Sequence, residues 1–245
     1  TIDCGSFVSP KIIPQMADSS EVLEAVKEIS HRSKLSVIIA SEGGADRALK
    51  HENVDLLGFP FSISEQFQKD NTHKSREEAF QSILNIYKMT EGTGKEILLY
   101  FSMAFGNPYK EEWNVELVKE WAARFADMGI RRINLSDTTS VAETRDVEEL
   151  FKNLIEKYPE IEFGAHFHSE YMNWHPKVDA AYKNGCRRFD GAIKGFGGCP
   201  MAKSDLVGNT PTEKLITYAE SVGAEHGLDL FAFESAYNSA LKVMG

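Results

Sequence analysis

Residues 131–168 read RRINLSDTTSVAETRDVEELFKNLIEKYPEIEFGAHFH. Two short apolar runs, Arg131–Ser136 and Glu162–His168, flank the stretch TRDVEELFKNLIEKYP. Apolar residues recur in that stretch at helical spacing, and Pro159 stops the pattern. A strand, a helix and a second strand in this order form a crossover unit. Its two strands lie parallel.

The same alternation runs through the whole chain. Further strands are expected at Thr1–Cys4, Leu35–Ala40, Val54–Phe59, Glu96–Met103 and Arg187–Ile193. Helical patterns fall between them, among them SSEVLEAVKEISHR, SREEAFQSILNIYKM and NVELVKEWAARFADMG. Ser or Asn opens several of these, and Gly129 closes the third. A helix over roughly Pro211–Val222 and another near the C-terminus complete the pattern. No Pro-, Gly- or Ser-rich linker interrupts it, so residues 1–245 are expected to form one domain.

Seven strands are one short of a (β/α)8 TIM barrel, and a doubly wound open sheet is the competitor. Polar residues decide for the barrel. Asp3, Ser102, Asp137, the pair His166 and His168, and Asp190 all sit at strand C-terminal ends. A barrel gathers those ends at one mouth. GFGGCP carries three glycines in the wrong order and position for a dinucleotide fingerprint.

Composition narrows the function. A net charge of −10 disfavours nucleic acid as a partner, because the protein's field repels phosphate backbones. No apolar run approaches the roughly 18 residues that span a bilayer, and TIDCGSFVSP lacks the plan of a signal peptide. Three widely spaced cysteines, Cys4, Cys186 and Cys199, suit a reducing compartment, with the cytoplasm as the default. The expected partner is a small molecule. A homo-oligomer is compatible with the sequence.

Two motifs carry the chemistry. In GAHFH, His166 and His168 point to one side of their strand and Phe167 to the other. Two imidazoles at a strand end can share one cation; the plainer reading is two satisfied polar residues in a crowded barrel layer. Asn209, just before TPTEK, is the candidate third ligand, although Asn more often serves a turn or cap. Nitrogen and oxygen donors without thiolate favour Mg²⁺, Mn²⁺ or Zn²⁺. In the second motif, Cys199 follows Gly197–Gly198 and precedes Pro200. A thiol in a glycine-flanked loop reads as exposed and chemical.

Together these residues resemble the hydroxymethylglutaryl-CoA lyase branch of the metal-dependent barrel aldolases, lyases and acyl-CoA condensing synthases. The resemblance runs through SFVSPKIIPQMAD (6–18), GNPY (106–109), LSDTTSV (135–141), GAHFH (164–168), GFGGCPMA (195–202) and GNTPTEKL (208–215). It implies a barrel that carries strands two to eight of the family, and His166, His168 and Asn209 as metal ligands. It further implies Cys199 as the thiol of proton transfer, Asp137 as a catalytic carboxylate, and Asp3 where the lyases place a glutamate. The implied reaction is retro-Claisen cleavage of 3-hydroxy-3-methylglutaryl-CoA, or a close 3-hydroxyacyl-CoA, to acetyl-CoA and acetoacetate, with Mg²⁺ or Mn²⁺ as the leading cofactor.

Three departures accompany the resemblance. The family's first strand carries an adjacent Arg and Asp, and residues 1–245 begin at the second. Ile2 and Asp3 read as a strand already in progress, so a parent chain longer by one βα unit, roughly 30–40 residues, is expected. Ser169 stands where the family usually has Asp, and Asp3 is one methylene shorter than Glu. Two alternatives stay open. One is a condensing synthase or 2-oxo acid aldolase of the same superfamily; the other is a barrel that binds metal or acyl-CoA without turnover.

Overall fold

A computed structural model describes residues 1–29, 32–169, 172–198 and 207–244. Seven strands form one sheet: β1 (Ile2–Ser6), β2 (Leu35–Ile38), β3 (Leu56–Ser62), β4 (Glu96–Ser102), β5 (Arg132–Asp137), β6 (Glu162–Phe167) and β7 (Arg188–Asp190). Every neighbouring pair is parallel, and the spatial order is the order in sequence. Such an order, with a crossover between each pair, curls the sheet the same way at every step. The result is a partial (β/α)8 barrel with β1 and β7 at its edges.

The helices are α1 (Ser19–Lys27), α2 (Glu42–Leu49), α3 (Glu65–Thr72), α4 (Arg76–Thr90), α5 (Val115–Met128), α6 (Thr144–Lys157), α7 (Trp174–Lys183), α8 (Thr212–Ser221) and α9 (Leu230–Met244). Their starts follow local chemistry. Ser41, Ser64 and Asn114 accept backbone N–H bonds at the heads of α2, α3 and α5, and Ser75 and Glu78 form a reciprocal capping box on α4. Gly129 ends α5 at φ 103°, a conformation that suits glycine.

Strand alternation divides the interior in two. The outward face presents Phe59, Phe61, Leu99, Phe101, Ile133, Leu135, Phe163 and Phe167 to helical residues such as Trp121, Phe125, Leu150, Phe151 and Leu154. This is the main core, and its aromatic centre places Phe61 4.9 Å from Phe125 and 4.8 Å from Trp121, centroid to centroid. Among the described residues the inward face holds only a small apolar cluster of Leu56, Leu98 and Tyr100, with Ile38 against it. The rest of that face, toward the strand C-termini, is polar. In register across it run Tyr100, Asn134, Gly164 and Arg188, and above them Ser136, His166 and Asp190.

The last strand and three helices differ from the sequence expectation. The last strand stops at Asp190 instead of Ile193, because from Ala192 the backbone bonds to Thr210 and Thr212 instead of continuing along β6. The chain then turns through a short 3-10 segment, Ile193–Gly195. Three helices, α2, α3 and α7, were not singled out from the pattern. Each is short, at 8, 8 and 10 residues.

Candidate metal centre at the strand C-termini

β6 delivers His166 and His168 to the inward side of the sheet, with ring centroids 5.5 Å apart. Each ring has one nitrogen committed. His166 Nδ1 lies 3.0 Å from Asp190 Oδ2, and His168 Nδ1 lies 3.1 Å from the Val207 carbonyl oxygen. A carbonyl only accepts, so Nδ1 of His168 carries the proton and Nε2 keeps its lone pair. Burial, followed by the neighbouring His166 and opposed by the Val207 bond, pushes His168 down to about 4. A neutral imidazole is the form that ligates metal.

Asp190 is itself held in place. Its Oδ2 accepts a 2.6 Å bond from Asn134 Nδ2, and Arg188 Nε lies 3.8 Å from Oδ1. Gly164 makes room for this arrangement, since a Cβ there would come within 2.2 Å of Asn134 Oδ1. Arg188 also meets Glu162, which meets Arg132, which meets Glu96, which meets Lys34. An alternating row of charges thus crosses the strand starts from β2 to β7.

Asn209 joins the pair. It forms an antiparallel bridge with His168, and its Nδ2 donates to the Phe196 carbonyl at 2.8 Å, which leaves Oδ1 at the other end of the amide. The glycines of GFGG serve this contact. A Cβ on Gly197 would lie 2.9 Å from Asn209 Nδ2, and one on Gly195 would lie 2.6 Å from the Asn209 carbonyl oxygen. Two loops therefore pack backbone to backbone. Cys199 lies outside the described residues.

Asp3 and Asp137 behave differently from each other. Asp3 Oδ2 lies 3.5 Å from the Tyr100 hydroxyl, and the Tyr100 ring meets His166 edge-on at 5.4 Å. Burial, with Asp190 and Asp3 adding to it, holds the Tyr100 phenol well above its ordinary range, so it stays a donor. Asp137 departs from the expected catalytic placement. It shares its register row with Phe167, on the helix side of the sheet, and is 1% exposed. Its carboxylate accepts from Lys177 Nζ at 2.5 Å and from the backbone N–H groups of Val141 and Ala142. Strand alternation turned it away from the imidazoles.

The donor set suits a divalent cation. The two imidazole rings lie side by side and Asn209 is bridged through its backbone to His168, while among the described residues no group of three His, Cys, Asp or Glu forms a cluster. Asp190, Asn134, Tyr100 and Lys177 are site residues that the sequence motifs do not single out. Asp190 had a signal, as a carboxylate ending a strand. Lys177 had one too, since it sits three after Trp174 and four before Ala181, on the apolar stripe of α7.

Known proteins are similar to this chain in sequence and fold. A family model described as HMGL-like matches residues 11–239. The mitochondrial hydroxymethylglutaryl-CoA lyase of Macaca fascicularis is 30% identical over 231 residues, covering 94% of this chain and 70% of the relative. The cytoplasmic 3-hydroxy-3-methylglutaryl-CoA lyase of Danio rerio is 29% identical, covering 99% and 72%. Among solved structures, an HMG-CoA lyase from Acinetobacter baumannii in complex with coenzyme A and 3-methylmalate superposes with a TM-score of 0.87 at 29% identity, covering 98% of this chain and 77% of that one. The carboxyl transferase domain of Rhizobium etli pyruvate carboxylase, at 16% identity and a TM-score of 0.69, shares the fold alone. Among the described residues no helix is long and apolar enough to cross a membrane.

Proposed function

We propose, for a chain that belongs to the HMGL-like family of lyases, a divalent-metal-dependent cleavage of 3-hydroxy-3-methylglutaryl-CoA or a close 3-hydroxyacyl-CoA. The products are acetyl-CoA and acetoacetate. The observation that carries the reading is the pair His166 and His168, each with Nδ1 held by an acceptor and Nε2 left over, beside Asn209.

Mg²⁺ or Mn²⁺ bound by these three residues would polarise the substrate's hydroxyl and carbonyl oxygens and fix its register. Everything else falls to the chain. The Asp190 carboxylate and the Val207 carbonyl orient the two rings. Loss of the tertiary hydroxyl proton lets the adjacent C–C bond break, and the bonding pair passes to the enolate of acetyl-CoA. We assign that proton to Asp3, an inward-facing carboxylate that accepts a hydrogen bond from the Tyr100 hydroxyl. Asp137 is bound to Lys177 on the far side of β5 and is not assigned this step. Cys199 supplies a proton to the enolate carbon; Asp3 then releases the hydroxyl proton to solvent, from which the thiolate is reprotonated.

The coenzyme A in the Acinetobacter structure supports an acyl-CoA as the substrate class here. Incubation of the intact protein with 3-hydroxy-3-methylglutaryl-CoA and Mg²⁺ or Mn²⁺ should release acetoacetate and acetyl-CoA. No product with either ion overturns the reading.

A further inference from the structure

Lys177 is 4% exposed, and its ammonium lies in the main layer between α7 and the sheet. A buried cation is expensive unless it is paired and hydrogen-bonded, and here a carboxylate and a hydroxyl take two of its three donors. Nζ donates to Asp137 Oδ2 at 2.5 Å and to Ser140 Oγ at 3.0 Å. Ser140 in turn accepts from Asn173 Nδ2 at 3.1 Å, and it stands at φ 59°, a left-handed conformation unusual for serine. Asp137 closes the same turn by accepting from Val141 and Ala142. The turn after β5 is thus gathered around one ammonium group.

Among the described residues, a backbone hydrogen bond joins that turn to the candidate metal centre. The His168 backbone N–H donates to the Asp137 carbonyl at 3.2 Å. His168 lies just beyond the last residue of β6, where the regular ladder ends at Phe167. Its backbone therefore depends on Asp137 on one side and on Asn209 on the other.

We infer that Lys177 is a positioning residue of the metal centre, holding Asp137 and Ser140 so that the Asp137 carbonyl anchors His168. The inference rests on the proposed metal site and adds the device that keeps it in register. It also gives Asp137 a task that its outward carboxylate can perform.

The test is Mn²⁺ binding by calorimetry on the full chain, without substrate. Lys177→Met alone leaves a buried carboxylate unpaired, so the informative variant is Lys177→Met with Asp137→Asn, which removes both charges together. We expect this double variant to fold and its Mn²⁺ dissociation constant to rise on the order of tenfold. Lys177→Arg, which can still bridge Asp137 and Ser140, should recover most of the affinity. A double variant that is folded and binds Mn²⁺ as the parent does overturns the inference while leaving the metal site standing. A parent chain that binds no Mn²⁺ overturns both. If the double variant fails to fold, Asp137→Asn is measured alone, and Mn²⁺ affinity equal to the parent's in that folded variant overturns the inference.

Discussion

His166 Nδ1 stands 3.0 Å from Asp190 Oδ2, and this contact decides which nitrogen of the ring is left for a ligand. The same carboxylate oxygen accepts from Asn134, so one atom orients a ring and is itself oriented from the next strand. Asp190→Ala should release the ring. Mn²⁺ affinity is expected to fall about 10- to 100-fold, with a much smaller change in melting temperature. Isothermal calorimetry and thermal denaturation on one sample separate the two effects.

Gly164 sits under Asn134 with no room for a methyl group. Gly164→Ala forces the amide aside and breaks its bond to Asp190. A loss of about 1–3 kcal/mol is expected from the overpacking. Chemical denaturation measures it, and a stability equal to the parent's would show that the amide has another place to go.

The cysteines should differ in reactivity. Burial pushes the Cys186 thiol up to about 12, so at pH 7.5 it is a thiol and not a thiolate. Iodoacetamide followed by mass spectrometry should leave Cys186 unlabelled in the native protein and label it after unfolding. The functional prediction concerns Cys199. In a lyase Cys199→Ala removes the proton donor and should lower turnover by a hundredfold or more, on the order of a general acid's contribution. In a condensing synthase the same change should matter little.

Glu96 predicts part of the acid limb of stability. Burial alone would raise its pKa, but hydrogen bonds from Arg132 and Lys34 overcome this and hold it below the ordinary glutamate range. A carboxylate with a depressed native pKa stabilises the fold above its unfolded value, about 4.3, and that contribution fades as the pH falls through the native one. Glu96→Gln should therefore melt lower than the parent at pH 7 and converge with it in acid. Parallel melting curves from pH 7 to pH 3 would contradict this.

The sequence made the barrel legible because each βα unit carries its own period and its own stops. Leu135 and Leu154 announce strand and helix without reference to anything distant. The His166 and His168 pair was legible for the same reason, since alternation along one strand puts both rings on one side. Asp137 shows the limit of that reasoning. Its position at a strand end was visible, but its side depended on the parity of β5 and on Lys177, forty residues away. Asp190 shows the opposite case, a residue noted as polar at a strand end whose bond to His166 arises only when β6 and β7 come into register. Contacts between units have no local signature.

The central claim is that two imidazoles hold one cation. Electron spin echo envelope modulation on the Mn²⁺-loaded protein reads it directly. We predict ¹⁴N coupling from two imidazole nitrogens, reduced to one in His166→Ala and in His168→Ala. A Mn²⁺ spectrum showing only water and carboxylate oxygen, unchanged by either substitution, would contradict the account.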